Sequence, residues 1–268
     1  MYNDVLHQKM DSECGTFCVY FIIEMLEGKA FKEIIKNVIG DKAVNKKRKE
    51  YYRKSSEDNP LDIMEFVKDS GLFDEEIVSV ETPDGIVGPK DEDHVVRGTN
   101  EESLSGLRAA FGPDSLVTAG NASGVVDGAA ALVIKSATQA ENDGDSPLAK
   151  IISWGIVGIE PAIMAYGPVP SSLKALKKAN LSVDDIDRWE INEAFSGQAV
   201  ACIQELGLDI EKVNVNGGAV GLGHPLAATG TRLILTLALE LRRSGGKFGV
   251  ATACIGGGQG IALVIESM

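Results

Sequence analysis

At 268 residues and 44% hydrophobic content, the chain can bury one large core or two ordinary ones. Its 39 acidic residues outweigh 26 basic ones for a net charge of −13, which excludes a general nucleic-acid binder, whose footprint would be basic. Four cysteines, at positions 14, 18, 202 and 254, form neither a disulfide framework nor a zinc-ligand spacing, so a reducing compartment and no metal are expected.

The opening MYNDVLHQKMDSE has no basic n-region and no signal-like apolar stretch. No apolar run approaches the roughly 20 residues of a membrane span. The expectation is a cytoplasmic protein without membrane contact, with organellar import left open. Charge is uneven: residues 1–54 carry 11 basic against 8 acidic residues, the remainder 15 against 31. The change falls beside the polar stretch 54–60, which reads as a linker. Three segments are expected: 1–55, 56–145 and 146–268.

In the first segment, CGTFCVYFIIEMLEG reads as a helix stopping at Gly28, apolar on every side over residues 17–23 and therefore buried. Cys14 would stand at its N-terminus, where the macrodipole favours a thiolate, with Gln8 six residues before it. The string HQKMDSECGTFCVYFI resembles the catalytic C-terminus of Ulp1-like cysteine proteases, which cleave ubiquitin-like modifiers. That resemblance implies an oxyanion-hole glutamine at Gln8 and a nucleophile at Cys14. The family takes its base His and orienting Asp from well upstream, whereas 13 residues precede Cys14 here and His7 is out of place. A thiol without a base is a weak nucleophile near neutral pH. Residues 1–55 thus read as a protease fragment without activity, the simpler alternative being a buried helix with an inert cysteine.

Further along, elements alternate between strand and helix. Strands are expected at residues 129–134, 151–153, 189–191, 213–215, 248–253 and 261–265. A helix over 171–179 would be capped by Ser171 or Ser172 and turn Leu173 and Leu176 inward. A second carries Phe195, Ala199, Ile203 and Leu206 at helical spacing and stops at Gly207. A third, over 226–243, is apolar nearly all round and should lie buried between layers. The pattern indicates an α/β layered domain preceded by a short, mainly helical segment.

Three loops carry the polar residues that chemistry could use. Asn192 follows a strand and precedes a helix, where α/β proteins place ligands. His224 sits in GGAVGLGHP, whose glycines permit close backbone approach. Cys254 opens CIGGGQG, whose successive N–H groups could form an oxyanion nest. Alone, each has a plainer reading: a helix cap, a structural histidine, a small buried hydrophobe. GGAVGLG lacks the Lys-Ser/Thr of a P-loop and the spacing of a dinucleotide fingerprint.

Taken together, NEAF, GGAVGLGHP and CIGGGQG, with TAGNASG upstream, look like the C-terminal sequence blocks of thiolases, and the resemblance runs from about Gly71 to Met268. Thiolases make or break carbon–carbon bonds between acyl-CoA molecules, with coenzyme A as substrate or product and no resident cofactor. The resemblance implies that Cys254 is the acid/base cysteine, a role suited to a thiol of ordinary pKa about 8.5. His224 would activate the nucleophile and help bind the thioester oxygen. Asn192 would hold a water of that oxyanion site, and the Gly256 N–H would serve a second one. Ser123 and Ala119 would meet the pantetheine arm, while Phe111, Met164 and Phe195 would wall the acyl pocket or merely fill the core.

One departure tempers this. The family's nucleophilic cysteine lies in an N-terminal half of which little is present, and CGTFCV around Cys14 and Cys18 lacks its small-residue context. The expectation is a truncated thiolase, inactive alone and with its apolar helix 226–243 exposed. It would then form a homo-oligomer or pair with a complementary thiolase half. A non-catalytic CoA-binding or oligomerisation domain is the alternative.

Overall fold

The computed structural model describes residues 71–88, 104–113 and 115–268. The segment 1–55, with Gln8 and Cys14, and the stretch 54–60 lie outside the described residues. A small antiparallel hairpin comes first, β1 (Val80–Thr82) and β2 (Gly85–Val87). Helix α1 (Ala137–Asp143) follows, with Ser136 Oγ accepting from the Gln139 N–H as an N-cap.

The centre is a four-stranded mixed sheet of β3 (Ala149–Gly158), β4 (Arg188–Ile191), β5 (Phe248–Ile255) and β6 (Gln259–Ser267), in the order β3-β6-β5-β4. β6 runs antiparallel to both its neighbours, whereas β4 and β5 are parallel. Successive residues of β5 point to opposite faces, as a pleat requires. Val250 joins one core with Trp189, Ile191, Val169, Leu176 and Ile203. That core is roofed by α2 (Pro168–Ala179) and α3 (Ser196–Leu206). Ala251 faces the other way, onto Leu233, Leu237, Leu241 and Ile265, beneath a long helix α5 (Thr229–Ser244). The short helix α4 (Ala219–Leu222) precedes it. Helices on both faces of a sheet give the α/β layered architecture expected from the alternating pattern.

Helix α2 lies very close to the sheet, for a Cβ at Gly155 would stand 2.1 Å from Ser171 O. From its outer side Lys174 Nζ donates to Ile156 O and Lys178 Nζ to Trp154 O, each at 2.8 Å, along the outward edge of β3.

Several elements depart from expectation. Residues 129–134 form no strand, and Val133 and Ile134 are 88% and 73% exposed. Apolar composition makes a strand only where a neighbouring edge supplies hydrogen bonds. Helix α2 begins at Pro168 rather than 171, with proline in its first turn. Ser171 is therefore no cap; it is buried and its hydroxyl donates to Gly167 O. The buried stripe runs through Pro168, Ser172, Ala175 and Leu176, which leaves Leu173 in solvent. Residues 213–215 contribute a single bridge, Val213 to Trp189. The chain turns away at Asn214, which adopts φ 46°, a left-handed conformation that asparagine tolerates. The Asn214 amide then mimics a strand: its Oδ1 accepts from the Ile191 N–H at 2.8 Å and its Nδ2 donates to Ile191 O at 2.9 Å.

Helix α5 is buried or half-buried along its apolar length. The sheet covers one side. Residues 71–77 cover part of the other: Thr236 Oγ1 donates to Glu76 Oε2 at 2.9 Å, Arg243 to Leu72 O at 3.1 Å, and Arg242 pairs with Glu75. The exposed apolar face expected for this helix is thus largely absent, because the 71–77 segment packs on it. No helix among the described residues is long and apolar enough to cross a membrane.

Candidate active site

The parallel strands β4 and β5 end side by side, and two candidate residues sit at those carboxyl ends, where α/β sheets gather ligands. Asn192 follows β4, with its N–H donating to Thr252 O at 2.9 Å, and is almost wholly buried. Its Nδ2 lies 3.3 Å from Nε2 of His224. On the far side of the imidazole, Nδ1 is 2.6 Å from Thr229 Oγ1, in the first turn of α5. Asn192 Oδ1 is buried and finds no hydrogen-bond partner among the described residues. A buried acceptor left unsatisfied is unfavourable by roughly 1–3 kcal/mol, so such an atom is suited to a donor from water or a ligand.

The loop TAGNASG ties these pieces together. Ala122 bridges Phe195, and both the N–H and Oγ of Ser123 donate to Ala194 O, at 3.2 and 3.1 Å. Ser196 N–H donates to Asn121 O, and His224 N–H to Gly124 O, each at 2.8 Å. Ser123 is thereby placed between NEAF and GHP, while Ala119 lies in an exposed turn closed by Thr118 and Asn121.

Cys254, half-buried near the end of β5, packs in one apolar cluster with Val117, Met164, Phe195 and Phe111. The three proposed wall residues therefore belong to the same apolar cluster as the candidate acid/base thiol. Gly256 lies in the exposed turn between β5 and β6, its carbonyl accepting from Gln259 Nε2 at 3.3 Å.

Three supporting residues escaped the sequence reading. Glu193 is buried and braces the glycine loop: Oε2 accepts from the Val220 N–H at 3.1 Å and Oε1 from Asn214 Nδ2 at 2.9 Å. A Cβ on Gly218 would fall 2.1 Å from the Glu193 carboxyl carbon, so only glycine fits there. Thr229 had a faint signal, a threonine at the start of a helix. Asn214 had none.

Burial holds His224 below the ordinary imidazole range, and the positive charge of Arg232 adds to this, so the ring is neutral at pH 7. Cys202, fully buried in α3, is pushed up to about 12 by desolvation and is a packing residue. No group of three or more His, Cys, Asp or Glu among the described residues could hold a metal.

Residues 65–138 match the model of the thiolase N-terminal domain, and residues 145–267 that of the thiolase C-terminal domain. The chain belongs to the thiolase family. It is 46% identical over 207 residues to an acetyl-CoA acetyltransferase of Allochromatium vinosum, covering 76% of this chain and 52% of that one. It is 51% identical over 203 residues to a 3-ketoacyl-CoA thiolase of Marinobacter nauticus, covering 73% and 52%. The crystal structure of human mitochondrial 3-ketoacyl-CoA thiolase in complex with CoA superimposes with a TM-score of 0.77 at 36% identity, over 93% of this chain and 58% of that one. The chain thus spans about half the length of the thiolases it matches.

Proposed function

We propose that these residues perform thiolase-type acyl transfer, the Claisen condensation of acyl-CoA or its thiolytic reverse, on acetyl-CoA and 3-ketoacyl-CoA. The observation that carries the reading is the His224–Asn192 contact at the end of β4, beside a parallel strand that carries Cys254 near its own end. In the condensation direction, the Cys254 thiolate takes a proton from the α-carbon of a bound acyl-CoA. The negative charge then developing on the thioester oxygen is met by Nε2–H of His224, which has earlier taken the proton of the acyl-carrying thiol, and by a water held on Asn192. The carbanion attacks an acyl group carried on a separate thiol, and that thiol leaves. The Gly256 N–H would stabilise the tetrahedral intermediate of that step.

The pantetheine arm would run past Ser123 and Ala119 into the pocket walled by Phe111, Met164 and Phe195. The acylation step needs a nucleophilic thiol, and neither cysteine of the described residues suits it: Cys254 is assigned to the proton and Cys202 is sealed in the core. The reading therefore includes a complementary thiolase half that brings the nucleophile. Val125, bridged to His224, and Leu226, two residues after it, stand 80% and 67% exposed and favour such a partner. The division of the chain near residue 145 is supported by the separate family matches on either side of it.

The test is incorporation of solvent deuterium into the methyl group of acetyl-CoA, followed by mass spectrometry. Exchange that exceeds the buffer rate and disappears in Cys254→Ala is expected. No exchange by a folded sample that binds acetyl-CoA in titration calorimetry overturns the assignment of Cys254.

A further inference from the structure

We infer that Thr229 is a positioning residue that fixes His224 in the Nδ1–H tautomer, leaving Nε2 as a lone pair directed at Asn192. The inference deepens the proposed function and rests on His224 acting through Nε2.

Thr229 Oγ1 has two close neighbours, Nδ1 of His224 at 2.6 Å and the carbonyl oxygen of Pro225 at 3.0 Å. A hydroxyl carries one proton and a carbonyl oxygen can only accept, so the bond to Pro225 O uses that proton. Oγ1 then faces His224 with lone pairs, and Nδ1 must carry the hydrogen between them. The opposite side of the ring gives the same answer independently. Asn192 presents an NH₂ group to Nε2 at 3.3 Å, and an amide nitrogen only donates, so Nε2 is the acceptor.

The surroundings make this assignment stiff. Thr229 is 3% exposed, so water hardly competes for its hydroxyl. Its own N–H also donates to Pro225 O, at 2.9 Å, which anchors its backbone to the residue that follows His224. A β-branched side chain in a helical turn has few rotamers to choose among. The backbone N–H of His224 donates to Gly124 O at 2.8 Å, which anchors the main chain from which the ring extends.

The consequence is chemical. Which ring nitrogen is available as a base is set by the hydrogen bond the other nitrogen makes. A neutral ring protonated at Nδ1 can take a proton at Nε2 and afterwards present Nε2–H to an oxyanion. The other tautomer can only donate there. Thr229 acts through His224, to which its hydroxyl is bonded.

The tautomer is read directly from long-range proton–nitrogen spectra of the full chain labelled with ¹⁵N-histidine, taken above the depressed imidazole pKa. The sequence holds three histidines, and His224→Gln assigns the resonance. The Nδ1–H form should exceed the other by about tenfold, the ratio that one ordinary hydrogen bond supports. Thr229→Ser, which keeps the hydroxyl, should preserve it, and the near-isosteric Thr229→Val should abolish the preference. An even mixture or an Nε2–H majority in the wild type overturns the inference, even if Thr229→Val fails to fold. So does a Thr229→Val protein whose tautomer ratio is unchanged. Failure of the proposed function shows separately, as absent deuterium exchange alongside the expected tautomer.

Discussion

The carboxylate of Glu193 occupies the space that a side chain on Gly218 would need: a Cβ there would lie 2.2 and 2.3 Å from its two oxygens. The NEAF and GGAVGLGHP blocks are therefore fitted to each other, and the loop that presents His224 is held by a buried acid as well as by the burial of Ala219 and Val220.

Gly218→Ala is expected to destabilise the protein by about 1–3 kcal/mol, the usual penalty for overpacking. Gly230→Ala is the control, since a Cβ at that exposed position in α5 meets nothing within 4 Å. That substitution should stabilise by about 0.5–1 kcal/mol through helix propensity. Urea denaturation of the two variants checks both signs.

Asn214 stands in for a missing strand beside β4 and holds Glu193 as well. Asn214→Ala removes three side-chain hydrogen bonds and leaves the Ile191 N–H and C=O without those partners. A loss of roughly 2–6 kcal/mol is expected, at about 1–3 kcal/mol for each of the two Ile191 backbone groups left unsatisfied. Asn214→Asp should be worse, because it sets a second carboxylate against Glu193. An aspartate variant as stable as wild type at pH 8 would contradict the packing described.

Burial pushes the Glu76 carboxyl up to about 6 from an ordinary 4.5, against the Thr236 hydrogen bond and the charges of Arg232 and Arg243. The folded chain thus holds this proton more tightly than the unfolded one. Stability from the group is complete below pH 4.5 and is lost as pH rises through about 6. Glu76→Gln, which stays neutral, should gain in melting temperature relative to wild type between about pH 5 and about pH 7. Glu190, raised to about 8 chiefly by its own burial and in part by the Glu76 charge, is raised less in Glu76→Gln, which acts in the same direction.

Thiol labelling separates the two described cysteines. Brief iodoacetamide treatment of the folded protein, read by peptide mapping, should modify half-buried Cys254 and spare Cys202. Cys202 should react only in denaturant, since thiolate is the reactive form and burial suppresses it there. Equal labelling of both in the native state would contradict the packing of α3.

Much of the sheet was legible in the sequence because its signals are local. Strands β5 and β6 flank a glycine turn, and Gly207 ends α3 in the left-handed conformation that glycine permits. What was not legible depends on distant partners. The run 129–134 has the composition of a strand and no edge to join. Leu173 fits a helical spacing, but the earlier start at Pro168 sets which stripe faces the sheet. The site divides the same way. Asn192, His224 and Cys254 stand out because rare polar residues interrupt glycine loops. Asn214 bracing Ile191 across 23 residues is invisible until the chain has folded.

The lysines on α2 have a consequence for how molecules meet. By occupying the carbonyls of Trp154 and Ile156, they remove the acceptors that an incoming strand would use to extend the sheet along β3. A second chain could add there only after displacing two hydrated cations. Polymer growth by strand addition is thereby gated by charge, and neutralising Lys174 and Lys178 would open this edge to templating.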